Sequence, residues 1–164
     1  MSERSVVYNT FTIERSYPAA PARVFAVFAD AEAKTRGLNP PEEATPGYLE
    51  FDFRVGGRER FDFQETDGRM MAYNALYYDI VPDQRIVYSY EMYADQARIS
   101  VSVATIEFAN DAAGTVLTWT EQGVYLDGLD QPELREGGTA WMLDNLTAHL
   151  TSQAAGTSPA ETHR

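Results

Sequence analysis

Apolar and polar residues alternate with a period of two through most of the chain. Residues 7–17 show it first, with Phe11 and Ile13 on one side and Thr10, Thr12 and Glu14 on the other. This pattern is typical of a half-buried strand. It returns between residues 48 and 124, interrupted by Gly-Gly, Asp-Gly and Pro-Asp turn signals that favour hairpins. We therefore predict six further antiparallel strands, over about 48–55, 58–64, 69–81, 85–93, 98–108 and 115–124, with a bulge within 74–78.

Helical periodicity occurs only on either side of this strand-rich region. Pro21 suits a first helical turn and is followed by an apolar face of Val24, Phe25, Val27 and Phe28. A second short helix is predicted over 31–38, then a loop over 39–47. In the last segment Gly137-Gly138 interrupts the pattern, so we predict a helix from about 139 to 150. Its apolar face comprises Thr139, Met142, Leu143, Leu146 and Leu150.

This order of elements predicts an α+β helix-grip fold. A curved antiparallel sheet of six or seven strands would wrap around the long C-terminal helix, with two short helices after strand one. Such an arrangement tends to enclose a cavity for a small molecule. A chain of 164 residues suits a single domain, predicted over 1–150, followed by a frayed tail over 151–164.

Composition excludes several classes of function. The chain has no cysteine, and its two histidines, His149 and His163, both lie near the C-terminal end. Thiolate chemistry, a Ser-His-Asp centre and a histidine-rich zinc site are thereby excluded, and we predict no metal and no cofactor. A formal net charge of −12 at pH 7 disfavours nucleic acid. No segment reads as a signal peptide or a membrane span, so we expect a cytoplasmic protein.

Several short motifs occur along the chain in an order that resembles the SRPBCC superfamily. They are FTIER at 11–15, APARVF at 20–25, DFRVGG at 52–57, IVP at 80–82 with RIV at 85–87, GTVLT at 114–118, and Gly138 with LDNL at 143–146. Within that superfamily the chain looks most similar to the single-domain bacterial homologues of the Hsp90-ATPase activator. The resemblance implies a START-like helix-grip fold over an apolar cavity. Members bind hydrophobic molecules, and some act as cyclases or aromatases. A chaperone partner is not expected for a single-domain member, and a homodimer stays open.

Three places depart from the pattern of this group. Relatives commonly carry tryptophan where this chain has Arg36 or Gly37, Glu59 and Thr139. Each lost ring leaves on the order of 150 Å² of side-chain area unreplaced. The resemblance therefore implies a larger or more polar cavity, unless Trp119, Trp141 and the tyrosines fill it.

Two carboxylates are the candidates for chemistry. Glu59 is in register with Phe61 and Phe63, and Glu121 with Leu117 and Trp119, so both should face the cavity. A carboxylate among rings has its pKa raised by desolvation unless it is paired. Alternatively, Glu59 lies at a solvent-exposed rim and pairs with Arg54 or Arg58, which is the commoner arrangement at the end of a strand.

Three hypotheses for function follow. The first is binding of a hydrophobic or aromatic small molecule between sheet and helix. The second is a cyclase, dehydratase or hydrolase on the same scaffold, with Glu59 or Glu121 as acid-base group. The third is a protein-interaction module without a ligand. The predicted ligand-binding residues are Phe51, Glu59, Phe61, Phe63, Tyr77, Tyr90, Trp119, Glu121, Thr139, Met142, Leu143 and Leu146.

Overall fold

The computed structural model of the chain describes residues 4–40 and 47–156. The loop predicted over 39–47 and the tail predicted over 151–164 lie partly outside these residues. The elements in chain order are β1 (Val6–Tyr17), α1 (Pro21–Ala29), α2 (Ala31–Leu38), β2 (Glu50–Phe51), β3 (Arg58–Gln64), β4 (Met70–Val81), β5 (Arg85–Ala94), β6 (Ala97–Asp111), β7 (Gly114–Leu126) and α3 (Pro132–Gly156). The predicted α+β fold is confirmed.

The seven strands form one antiparallel sheet in the order β1-β7-β6-β5-β4-β3-β2. Strands β2 to β7 follow one another along the chain, and β1 joins the far edge by pairing with β7 over its whole length. This pairing sets Phe11 opposite Glu121 and Ile13 opposite Trp119. The side chains at alternate positions therefore share one face, and that face is buried.

The core lies between this buried face and three helices. The apolar side predicted for α1 is confirmed, because Val24, Phe25, Val27 and Phe28 are all buried. Helix α3 contributes Leu143, Leu146 and Leu150, which have no exposed surface. The Tyr17 hydroxyl donates a hydrogen bond to the Leu143 carbonyl at 2.9 Å and ties β1 to the middle of α3. The sheet thus grips the second half of α3.

The second strand is much shorter than predicted. Only Glu50–Phe51 pairs with β3, whereas residues 52–57 turn back on themselves through a hydrogen bond from the Gly57 amide to the Arg54 carbonyl at 2.8 Å. A Cβ atom at Gly57 would lie 2.0 Å from the Asp52 carbonyl oxygen, so only glycine fits there. The prediction of a strand over 48–55 was wrong because alternation alone does not reveal this close backbone contact.

The last helix is longer than predicted. It begins at Pro132 and runs through Gly137 and Gly138 without a break, to Gly156. Each helical glycine costs about 1 kcal/mol relative to alanine. Partly buried polar contacts of Arg135, near the start of the helix, hold this part of it. The predicted start near Thr139 was wrong because tertiary contacts outweigh local propensity.

The bulge in β4 lies at the end of the predicted range. The register to β5 shifts between Tyr77 and Asp79. Tyr77 faces the core in phase with Met71 and Ala75, whereas Tyr78, the extra residue of the bulge, is 58% exposed. No helix among residues 4–40 and 47–156 is long and apolar enough to cross a membrane.

Candidate functional site

A cavity of about 770 Å³ lies between the buried face of the sheet and α3, with α2 along one side. Aromatic side chains make up much of its wall. They are Tyr48, Phe61, Phe63, Tyr73, Tyr88, Tyr90, Trp119 and Trp141. Met71, Met92 and Met142 add flexible apolar surface. The wall therefore offers ring faces and thioethers. It also contains charged and polar side chains, namely Lys34, Asn39, Glu59, Glu65, Thr66, Asp67, Arg69, Asp130, Arg135 and Thr139.

The rings support one another across neighbouring strands. Phe61 of β3 stacks on Tyr73 of β4, with ring centroids 4.7 Å apart, and Tyr73 lies 5.1 Å from Tyr90 of β5. Tyr88 meets the Trp119 ring edge-on at 6.2 Å. Antiparallel pairing brings same-face residues of adjacent strands together, so the sheet itself builds this aromatic wall.

The first polar group of the cavity is an ion pair between Lys34 and Glu59. Lys34 Nζ donates to Glu59 Oε1 at 2.7 Å, and the Tyr77 hydroxyl donates to the same oxygen. Glu59 is 1% exposed and Lys34 is 8% exposed. Arg54 instead pairs with Asp52. The rim position considered for Glu59 was therefore wrong, because the α2 lysine meets it inside.

Helix α2 holds Lys34 in this position. The Asp30 carboxylate caps the helix by accepting a hydrogen bond from the Ala33 amide at 2.9 Å. At the other end, the Asn145 side chain of α3 donates to the Leu38 carbonyl at 3.1 Å. Because both ends of this short helix are fixed, the lysine side chain is directed toward β3.

Burial raises the pKa of Tyr77 far above its ordinary value, and the negative charge and hydrogen bond of Glu59 raise it further. Burial likewise raises the pKa of Tyr48, which lines the cavity, with a second contribution from the Glu59 charge. Both hydroxyls therefore stay protonated at neutral pH and can donate hydrogen bonds, as Tyr77 does to Glu59.

A second polar group lies at the start of α3. Arg135 contacts Asp130 at 2.5 Å and donates to the Ser100 hydroxyl at 2.9 Å and the Tyr90 hydroxyl at 3.0 Å. Tyr90 in turn donates to Glu121 at 2.7 Å. A chain of hydrogen bonds therefore connects the cavity wall to the buried carboxylate of β7.

Burial raises the pKa of Glu121 above its ordinary value. Hydrogen bonds from Tyr90 and Trp119 and the charge of Arg135 limit the rise, since all three favour the carboxylate. The buried Ser102 hydroxyl also favours the charged form, although it lies outside normal hydrogen-bond geometry. Glu121 is thus a desolvated carboxylate that accepts hydrogen bonds from Tyr90 and Trp119, both of which line the cavity.

The predicted ligand-binding residues lie in different places: in the cavity wall, behind it and in the core, with Phe51 beside Lys34. The cavity wall contains Glu59, Phe61, Phe63, Tyr90, Trp119, Thr139 and Met142. Tyr77 and Glu121 lie behind the wall, hydrogen-bonded to Glu59 and Tyr90. Leu143 and Leu146 belong to the core under α3, and the Phe51 ring lies 6.0 Å from Lys34 Nζ.

Sequence reasoning missed Lys34 and Arg135, two of the three cationic residues that line the cavity in the described part of the chain; the third is Arg69. Lys34 is the only lysine in the chain, which was a visible signal. Arg135 carried no comparable signal, because its partners lie on β5, β6 and the loop before α3. The positions where relatives commonly carry tryptophan also differ in the space around them. Thr139 lines the cavity, whereas Gly37 is tightly packed, since a Cβ atom there would lie 2.8 Å from Val27 Cγ1.

Among residues 4–40 and 47–156, no group of three or more His, Asp or Glu side chains is placed to hold a metal ion. The wall offers hydrogen bonds from hydroxyl, ammonium and guanidinium groups and to carboxylates, beside its aromatic surface.

Comparison with known proteins places the chain in a family. The family described as activator of Hsp90 ATPase homolog 1-like protein matches residues 18–151. No curated protein matches. A solved structure of an uncharacterized protein from Rhizobium leguminosarum is 42% identical, with a TM-score of 0.86, and the match covers 92% of this chain and 99% of that one.

A protein from Rhizobium loti is 44% identical, with a TM-score of 0.82 and coverage of 89% and 99%. An AHSA1-like protein from Aeromonas hydrophila shares the fold, at 19% identity and a TM-score of 0.63, over 95% of this chain and 100% of that one. With the family match spanning most of the chain, this protein belongs to the activator of Hsp90 ATPase homolog 1-like family, within the SRPBCC superfamily.

Proposed function

We propose that this protein binds a small aromatic molecule in the cavity between the sheet and α3. The observation that carries the proposal is the cavity of about 770 Å³ with a wall of aromatic rings and methionines. Ligand sites typically measure about 300–1,000 Å³ and combine an apolar lining with a few placed polar groups. The Lys34–Glu59 and Arg135 groups supply such polar contacts here.

The residues along α3 keep this space open. Gly138 and Thr139 line the cavity, and a Cβ atom added at Gly138 would meet no heavy atom within 4 Å. The ring faces and thioethers of the wall border open space rather than a packed neighbour, so they lack packing contacts on that side. A ligand with flat apolar faces would restore those contacts, which is the physical reason for a bound molecule.

Apolar side chains also mark one side of the cavity as accessible. Leu134 and Trp141 of α3 line it and are 68% and 51% exposed. Both would lose water-exposed apolar surface when a ligand occupies the cavity, and burial contributes about 25 cal/mol per Å² of apolar area.

The adjacent glycines of α3 provide the test. The probe is N-phenyl-1-naphthylamine, an uncharged dye whose fluorescence rises in apolar surroundings. Gly138→Trp places a ring into the cavity and should weaken dye binding at least about tenfold. Gly137→Trp is the matched control, since Gly137 also has open space around it but does not line the cavity.

Both substitutions should leave the free energy of unfolding equal or higher, because a side chain replaces a helical glycine. Equal dye affinity in wild type and both variants would place the dye elsewhere and contradict the proposal. A folded protein that binds no dye would favour the interaction-module hypothesis instead.

A second candidate function is acid-base catalysis on a bound aromatic substrate. It is favoured by the raised pKa of Glu121 and by the Tyr90 hydroxyl that connects this carboxylate with the cavity wall. A ligand recovered with protein from the native host, incubated with fresh protein and followed by mass spectrometry, tests it. Conversion that is lost in Tyr90→Phe, with binding retained, is the expected result for an enzyme.

A further inference from the structure

Lys34 is the single lysine of the chain, against twelve arginines. It is 8% exposed, whereas Arg36, two residues later on α2, has a side chain that is 62% exposed. Lysine is rarely buried without a partner, because an ammonium group loses favourable hydration there. The chain thus uses its one lysine at the wall of the cavity.

Glu59 compensates the charge of Lys34. The carboxylate lies 2.7 Å from Nζ, is held by the Tyr77 hydroxyl as well, and is 1% exposed. The ammonium group is the more accessible member of the pair, with 10% side-chain exposure against 1% for Glu59. A molecule in the cavity therefore meets the ammonium group as a hydrogen-bond donor. The ion pair as a whole carries no net charge.

The ammonium group retains donor capacity. It has three N–H groups, and Glu59 is its one hydrogen-bond acceptor among the described residues. Its other neighbours are rings: Phe28, Phe51 and Tyr88 have centroids 5.9 to 6.0 Å from Nζ. At that distance a ring attracts a cation but does not replace a hydrogen-bond acceptor.

Building on the proposed function, we propose that Lys34 anchors the ligand by donating a hydrogen bond to a carbonyl oxygen, and that the ligand is an uncharged aromatic ketone, aldehyde or quinone. The aromatic wall contacts the ring system, and the Lys34 ammonium fixes the position of its oxygen. The Tyr48 hydroxyl, also on the wall, offers a second donor to the same class of acceptor.

The charges around the cavity select a neutral ligand. Lys34 is balanced by Glu59, Arg135 by Asp130 and Arg69 by Asp67. Glu65 in the lining and Glu121 behind Tyr90 add negative charge. An anion would bring a second negative charge close to Glu59 and Glu121. A cation would meet Lys34 and Arg135. A carbonyl oxygen accepts a hydrogen bond without adding charge.

Two uncharged dyes of similar size test the assignment. One is N-phenyl-1-naphthylamine, which has no carbonyl, and the other is a 6-acyl-2-dimethylaminonaphthalene, an aromatic ketone. The emission of the ketone moves to longer wavelength when its carbonyl accepts a hydrogen bond. The variant is Lys34→Met/Glu59→Gln, which removes both charges at similar side-chain size. Its matched control is Arg36→Met/Glu32→Gln, an exposed ion pair on the same helix.

The double variant should bind the ketone at least about tenfold more weakly, because a hydrogen bond from a charged donor is lost. The ketone that still binds should emit at shorter wavelength. The carbonyl-free dye should change its affinity less than threefold, and the control variant should bind both dyes as wild type does.

A measurement on wild-type protein complements the variants. Because the chain has one lysine, lysine labelled with ¹⁵N at Nζ gives a single side-chain ammonium signal. The ketone should shift this signal more than the carbonyl-free dye does at equal occupancy. This readout holds even if the double variant fails to fold.

The outcomes separate the two proposals. Unchanged ketone affinity and emission in the double variant, or equal ammonium shifts with both dyes, would overturn the role of Lys34. If Gly138→Trp still blocks both dyes in that case, cavity binding stands. If Gly138→Trp blocks neither dye, the proposed binding in the cavity is refuted, and the proposed role of Lys34 is refuted with it.

Discussion

Replacing Lys34 by methionine removes the cation of a buried ion pair and keeps the length of the side chain. Glu59 would then be left 1% exposed, with the Tyr77 hydroxyl as its remaining donor at Oε1. Removing one partner of a buried pair typically costs about 3–5 kcal/mol, because the other charge stays desolvated. Since Tyr77 continues to stabilise the carboxylate, we expect a loss near the lower end, about 3 kcal/mol.

Arg36→Met is the internal comparison. Arg36 lies 3.7 Å from Glu32, and their side chains are 62% and 78% exposed. Exposed helical pairs of this kind contribute about 0.3–0.5 kcal/mol. The two substitutions thus each remove a cation from α2, one from a buried ion pair and one from an exposed ion pair.

Urea unfolding followed by circular dichroism gives the free energies. Lys34→Met/Glu59→Gln should recover much of the stability lost in Lys34→Met, because it also removes the unpaired carboxylate. The reasoning is refuted if Lys34→Met loses no more than Arg36→Met. In that case water would already solvate the Glu59 carboxylate in the folded protein.

Three further outcomes are expected. Leu143→Ala should cost about 2–5 kcal/mol in urea unfolding, since Leu143 has no exposed surface, and Phe61→Ala should cost less, since Phe61 is only half-buried at the cavity. Tyr17→Phe should cost about 1 kcal/mol by removing the hydrogen bond to the Leu143 carbonyl; an unchanged urea midpoint would contradict it. Burial raises the pKa of Tyr125 to about 12, whereas tyrosine in the unfolded chain titrates near 10. The unfolded state therefore loses its proton first, and stability should fall as pH rises from about 10 to about 12, seen as a falling urea midpoint; a pH-independent midpoint would contradict this.

Most of the fold was visible as local periodicity. The bounds predicted for α2 and the buried face of α1 match the structure, because in these segments the local pattern and the tertiary packing agree. The two errors, β2 and the start of α3, have a common cause. In both places the backbone is decided by a contact that hydrophobic periodicity does not encode: Gly57 against the Asp52 carbonyl, and Arg135 against β5 and β6.

Sequence reasoning predicted the strand residues of the candidate site but not the helix residues that pair with them. Period-two register predicted that Glu59 and Glu121 face inward, and both are buried. Their environments were not predicted, because the partner of Glu59 comes from α2 and the neighbours of Glu121 include an arginine of α3. Strand patterns report which face a side chain occupies, whereas the identity of its partner depends on how distant segments pack.

Two different kinds of contact attach α3 to the rest of the protein. Its second half places Leu143, Leu146 and Leu150 in the core, whereas none of the residues 132–138 is buried and these turns rest on the polar contacts of Arg135. Polar contacts can exchange with water, so opening the first turns exposes little apolar surface and costs less free energy than global unfolding. Amide hydrogens of the first two turns should therefore exchange faster than those around Leu146. Since Leu134 and Gly138 border the cavity, transient opening of this helix end would widen access to the proposed ligand site while the sheet stays intact.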